Sequence, residues 1–154
     1  MDGDERALEL ALRQLSRRDR TEAELRRYLA GKEVAEPAAD AAVAELRRMG
    51  YLDDARYART FAEDRRSLDG WGAERIERRL LALGVDRGLV AEAVGARDGA
   101  GELQAAVELL RRRWRRAPVG DRERERALAM LVRKGYDLEL AYYAVRAFER
   151  TTAA

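Results

Sequence analysis

LRRYLAGKEV, residues 25–34, has two echoes farther along the chain: IERRLLALGV at 76–85 and ALAMLVRKGY at 127–136. The spacing is 51 residues both times, so Leu25, Leu29 and Val34 align with Ile76, Leu80 and Val85, and again with Ala127, Leu131 and Tyr136. Val43, Val94 and Val145 continue the register. Apolar residues four apart share one face of a helix. Gly84 and Gly135 stand where such a helix would end in left-handed backbone, the conformation that costs glycine least. Glu33 holds that place in the first copy. Evenly spaced units that each end one helix and begin another spell a tandem array of short helical bundles.

The rest of the chain agrees with helix. Ala, Leu, Arg and Glu dominate, and the only prolines are Pro37 and Pro118. The pattern predicts helices over residues 5–18, 22–32, 36–49, 54–68, 73–83, 87–96, 101–116, 121–134 and 138–149. The expected fold is all-α, an elongated, curved array of three tandem three-helix repeats at 5–49, 50–98 and 99–150. GARDGAG, 95–101, reads as a flexible joint and APVGD, 117–121, as a second break.

The acids at helix starts read as caps. In GYLDDARYARTFAEDRR, 50–66, Gly50 ends one helix and Asp53 caps the next, with Leu52 and Tyr57 placed as a hydrophobic staple and Asp54 at the positive helix end. Thr21 with Glu24 spells a capping box, and Gly72 and Asp86 repeat the grammar. A catalytic carboxylate pair needs one member held protonated by burial, and a helix start among arginines favours ionised acids instead.

Other chemistry is excluded more directly. The chain has no cysteine and no histidine, which removes disulfides, thiolate nucleophiles, most zinc sites and the usual general base near neutral pH. The glycine clusters lack the Lys-Ser/Thr ending and preceding strand of a phosphate loop. No enzyme activity, cofactor, metal or small-molecule substrate is expected. No apolar run is long enough to span a bilayer, and the acidic start MDGDERALEL carries no export signal, so the expected location is the cytoplasm.

What remains is charge. Of 31 cationic residues only Lys32 and Lys134 are lysine, and the overall balance is +2. Residues 13–32 carry seven cations against three acids, +4, and residues 109–134 carry ten against three, +7. Pairs such as Glu22 with Arg26 or Glu74 with Arg78 account for many arginines as a solvated, ion-paired face. They do not account for RRRWRR, 111–116, where five cations have no acid within the turn. Such a cluster calls for an anionic partner, nucleic-acid phosphate first and an acidic protein surface second. Trp114, inside the cluster, continues the apolar stripe of Leu103, Val107 and Leu110 and reads as core, with base stacking as the other reading.

RTEAELRRYLAGK at 20–32, GYLDDARYARTFAEDRR at 50–66, GWGAERIERRLLALGV at 70–85 and RKGYDLELAYYAV at 133–145 together resemble the RecX regulatory proteins, in the family's order and across nearly the whole chain. The chain departs from that pattern at Glu33, where glycine is usual, and its third unit is the least similar. The resemblance implies a bacterial cytosolic protein of three three-helix units that binds the RecA recombinase filament on single-stranded DNA and restrains strand exchange, ATP hydrolysis and co-protease activity, without being an enzyme. The candidate filament or DNA contacts are Arg17, Arg18, Arg20, Arg26, Arg27, Arg111, Arg112, Arg113, Arg115 and Arg116, chosen as exposed, unpaired cations, with Arg65, Arg66, Arg75 and Arg79 added because the middle unit should occupy the centre of a concave face. The alternatives are a sequence-independent single-stranded nucleic-acid binder acting without a recombinase, a scaffold whose partner is only protein, and, more weakly, a helix-turn-helix repressor.

Overall fold

A computed structural model describes residues 2–152. Among the described residues there are nine α-helices and no strand: α1 Gly3–Arg17, α2 Glu22–Gly31, α3 Glu36–Arg48, α4 Asp54–Asp64, α5 Ala73–Ala82, α6 Arg87–Gly95, α7 Gly99–Arg113, α8 Gly120–Lys134 and α9 Leu138–Thr152. The end of α4 widens into a π-helical turn, Arg65–Asp69, which Gly70 closes in left-handed backbone. The expected helix over 54–68 therefore changes hydrogen-bond pitch at Arg65.

The chain divides into two compact units, Met1–Thr60 with Leu80–Val90, and Phe61–Arg79 with Ala91–Ala154. In the first unit, α1 lies along α3 through alanines, Ala7 and Ala11 against Ala38, Ala39 and Ala42, small side chains that let the helices approach closely. Leu25, Leu29, Val43, Leu46 and Leu52 fill the adjoining core. Each fully buried leucine contributes about 1.5–3 kcal/mol of transfer free energy. In the second unit, α7 and α8 pack on α9 around Leu110, Met130, Leu131, Tyr136, Val145 and Phe148.

The 51-residue echo reappears as a repeated junction. Gly84 ends α5 at φ +83, and a Cβ there would lie 2.3 Å from Ala23 Cβ, so the turn presses on the first turn of α2. Thr21, fully buried, fixes this contact: its Oγ1 donates to the Leu83 carbonyl at 2.7 Å and accepts from the Glu24 N–H at 3.1 Å. The Glu24 carboxylate accepts the Thr21 N–H in return at 3.1 Å, completing the capping box. Fifty-one residues on, in the second unit, Gly135 ends α8 at φ +102 against the first turn of α5. There the backbone makes the bonds: the Gly72 N–H donates to the Lys134 carbonyl at 2.7 Å and the Glu74 N–H to the Gly135 carbonyl at 2.9 Å.

Glu33 adopts the same left-handed backbone, φ 61, the one non-glycine residue with positive φ among those described. Its side chain is exposed, and the conformation is all that the position demands. At the two later positions glycine is required by strain and by close approach together.

Helix starts follow the expected grammar with one addition. Asp53 accepts the Arg56 N–H at 3.0 Å and caps its own helix. Asp54 instead reaches a neighbour, accepting the Glu22 N–H at 3.0 Å at the start of α2. Burial raises the Asp54 carboxyl above its ordinary range against the opposing pull of that bond. The turn over 95–101, expected as a flexible joint, is held at several points. Asp98 caps α7 through the Gly101 N–H at 2.7 Å, and buried Glu102 takes the Arg97 guanidinium at 2.8 Å and the Ala73 N–H at 2.8 Å.

Candidate functional site

The arginines chosen from sequence separate into paired and unpaired sets once the helices are placed. In the first unit, Arg18 pairs with Glu24 at 3.2 Å, and Arg26 with Glu22 at 3.2 Å and Asp40 at 2.5 Å. Arg47 adds a second cation on Glu22. Burial pulls the Glu22 carboxyl upward, but the hydrogen bonds from Arg47 and Arg26 more than offset it, leaving the carboxyl below its ordinary range. Arg17 and Arg27 are exposed with no ion-pair partner among the described residues. Arg20 is half-buried, its Nε lacks a hydrogen-bond partner, and it shares a cavity of about 240 Å³ with Arg27, Gln14, Glu24 and Tyr28.

In the second unit, Arg65, Arg66 and Arg75 are engaged. Arg65 pairs with Asp69 and lies 5.8 Å from the Phe61 ring and 5.9 Å from the Trp71 ring. Arg75 stacks 4.1 Å above Trp71 and donates to the Arg133 carbonyl at 3.3 Å. Arg66 donates to the carbonyls of Val94 at 2.8 Å and Ala93 at 3.4 Å, satisfying the end of α6. Burial, followed by the nearby Arg97 charge, lowers the affinity of the Arg66 guanidinium for its proton. Of the four expected in this stretch only Arg79 is exposed without an ion-pair partner among the described residues. The expectation of exposed, unpaired cations is thus corrected for Arg18 and Arg26, which are paired, for Arg20, which is half-buried, and for Arg116, which lies 3.8 Å from Glu123. Arg65, Arg66 and Arg75 of the middle unit are held by neighbours. Their carboxylate or carbonyl partners come from sequence-distant segments as well as adjacent turns.

The cluster after α7 differs. The periodicity carries this helix to residue 116, but it ends at Arg113, where Trp114 turns to extended backbone (φ −121, ψ 131) while its N–H still bonds the Leu110 carbonyl at 2.8 Å. Arg111, Arg112 and Arg113 form the last turn, where the negative helix end favours cations. Arg115 and Arg116 stand in the following turn, before Pro118. All five guanidinium-bearing residues are exposed. Among the described residues the one carboxylate within ion-pair reach of any of them is Glu123, 3.8 Å from Arg116. Its other oxygen already accepts the Val119 N–H at 2.6 Å at the start of α8.

Trp114 remains packed against the core of the second unit, as the stripe predicts, but only in part. It also lines a cavity of about 420 Å³ with Arg113, Arg115, Arg116, Glu123 and Arg126. Arg126 is the residue that sequence reasoning missed. It lies in the same positive stretch, but its place beside Trp114 depends on where α7 stops and α8 begins.

Among the described residues no group of three or more acids could hold a metal ion, and no helix is long and apolar enough to cross a membrane. The fold and this surface define a class: an all-α protein of tandem three-helix repeats that displays uncompensated guanidinium groups at the end of a helix.

Comparison with known proteins narrows the class. The model of the RecX first three-helix domain matches residues 7–46, that of the second 53–94 and that of the third 100–145. A protein named Regulatory protein RecX from Mycobacterium ulcerans (strain Agy99) is 33% identical over 141 residues, covering 90% of this chain and 82% of the relative. Another of that name, from Thermobifida fusca (strain YX), is 34% identical over 144 residues, covering 92% and 77%. The crystal structure of RecX from Lactobacillus salivarius shares the fold at a TM-score of 0.85, with 17% identity over 97% of this chain and 98% of that one. A second crystal structure, of regulatory protein RecX, aligns at a TM-score of 0.77 with 22% identity, covering 95% and 72%. The chain belongs to the RecX family.

Proposed function

We propose that this chain is a regulator of the RecA recombinase: it binds the RecA filament on single-stranded DNA and slows strand exchange, ATP hydrolysis and co-protease action, with no chemistry of its own. Its place of work is the bacterial cytoplasm. Family membership supports the regulatory role, since the relatives carry that name. The observation that carries the reading to this chain is the turn at 111–116, where five exposed cations face one already shared carboxylate. Like charges held this close repel, and an anionic partner relieves that repulsion while releasing counterions. A protein bound across neighbouring filament subunits favours whichever filament state it fits better and resists the motion between states.

The test is ATP turnover and strand exchange by a RecA recombinase on single-stranded DNA, with this protein added well below the recombinase concentration. The expected result is slowing of both. Undiminished turnover and exchange with the protein in excess contradict the reading. Tight binding to naked single strands in that same case supports instead a nucleic-acid binder that acts without a recombinase.

A further inference from the structure

The geometry points to a base-accepting subsite at the cavity after α7, in which Trp114 stacks on one unpaired nucleobase of a single strand while Arg113, Arg115 and Arg126 hold the flanking phosphates. This rests on the assignment of the turn as a filament-facing surface, and it names which group there meets the nucleic acid and how. Two features that sequence alone separates come together here. Trp114 leaves the helix at its own residue, so its indole sits half-buried at the edge of the core instead of inside it. The residues around it are four arginines, Arg113, Arg115, Arg116 and Arg126, against one acid, Glu123.

Glu123 is committed, through Val119 N–H at 2.6 Å and Arg116 at 3.8 Å, and among the described residues Arg113, Arg115 and Arg126 have no carboxylate within ion-pair reach. An indole face beside unpaired guanidinium groups is the combination that single-stranded nucleic acid uses: the base stacks on the ring and the backbone meets the cations. A duplex has no free base face to offer. An acidic peptide would use the arginines and leave the indole unused. Trp71 offers no such site, because the Arg75 guanidinium already covers its ring at 4.1 Å.

The test uses the full chain, an oligothymidylate of about ten nucleotides, and an abasic sugar-phosphate oligomer of the same length, with tryptophan fluorescence and anisotropy read together at low salt. Oligothymidylate is expected to quench the wild-type emission, and the abasic oligomer to bind about tenfold more weakly with little quenching. Trp114→Phe keeps a stacking ring, so its affinity should stay within about threefold while the quench disappears; Trp114→Ala should lose about tenfold in affinity. Arg126→Gln should weaken both ligands alike and flatten the salt dependence. Equal affinity for the two oligomers, a quench that survives in Trp114→Phe, or unchanged affinity in a Trp114→Ala chain of native helix content would each overturn the subsite. Slowing of recombinase ATP turnover, measured on the same samples, separates the two ideas. Slowing by wild type and Trp114→Ala alike, with no base preference, removes the subsite and leaves the regulator; no slowing by wild type removes the regulator whatever the oligomers do.

Discussion

Around α2, Arg26 reaches both Glu22 and Asp40, and Arg18 reaches Glu24, whereas at the end of α7 and just beyond it Arg111, Arg112, Arg113 and Arg115 meet no carboxylate within ion-pair distance among the described residues. Both stretches are strongly basic in sequence, +4 over 13–32 and +7 over 109–134. The difference lies in where the fold delivers acids. The first turn of α2 supplies Glu22 and Glu24, and α3 brings Asp40 alongside. At the end of α7 the one carboxylate within ion-pair reach among the described residues is Glu123, which α8 needs for its own first turn. Cation density is therefore a poor guide to available charge, and the packing of neighbouring helices decides which guanidinium groups are left for a partner.

The largest effect should come from reversing the unpaired set. Changing Arg111, Arg112, Arg113, Arg115 and Arg116 together to Glu is expected to weaken filament binding about a hundredfold or more, with circular dichroism unchanged. Loss of helix content in that variant would mean the cluster holds the fold together.

A change at a junction should do the reverse. Gly135→Ala places a Cβ 2.3 Å from Arg75 Cβ in left-handed backbone, and thermal unfolding should show a loss of about 3 kcal/mol or more, while the fraction still folded binds normally. Leu131→Ala should cost about 2–5 kcal/mol through a cavity in the same unit, again without altering charge-dependent binding.

The paired arginines should give small effects. Arg26→Ala is expected to cost about 1 kcal/mol or less, because its ion pairs are partly exposed, and to change filament affinity less than about twofold. Its partner adds a pH signature. The Glu22 carboxyl is held below its ordinary range, so the stability it lends is complete above the unfolded carboxylate range and is lost as pH falls through the folded value. Glu22→Gln should flatten that acid limb of a stability–pH curve. The smallest effect expected is that of Glu33→Gly, which would relieve left-handed strain and raise stability by about 0.5–1 kcal/mol in denaturant titration.

Much of the fold is legible in the sequence because it depends on short-range periodicity. Leu25, Ile76 and Ala127 share a register, and residues 33, 84 and 135 share a left-handed turn, since the same helix end is built three times. The junction partners are not legible: that Thr21 meets Leu83 and Gly72 meets Lys134 depends on packing between segments about sixty residues apart. Nor is the end of α7, because Trp114 continues the apolar stripe in spacing while its backbone has already left the helix. The fate of each arginine is least legible of all. Arg66 on the carbonyls of α6 and Arg26 on Asp40 are tertiary contacts, invisible to a count of charges along the chain.

The most direct measurement is the ionic-strength dependence of filament binding by the wild type and by a chain with Arg111, Arg112, Arg113 and Arg115 changed to Gln. Unpaired guanidinium groups that meet phosphates should give the variant a slope of log affinity against log salt shallower by about 3, since each single-strand phosphate no longer neutralised removes about 0.7 from it. An unchanged slope with unchanged affinity would contradict the account and move the binding surface elsewhere on the molecule.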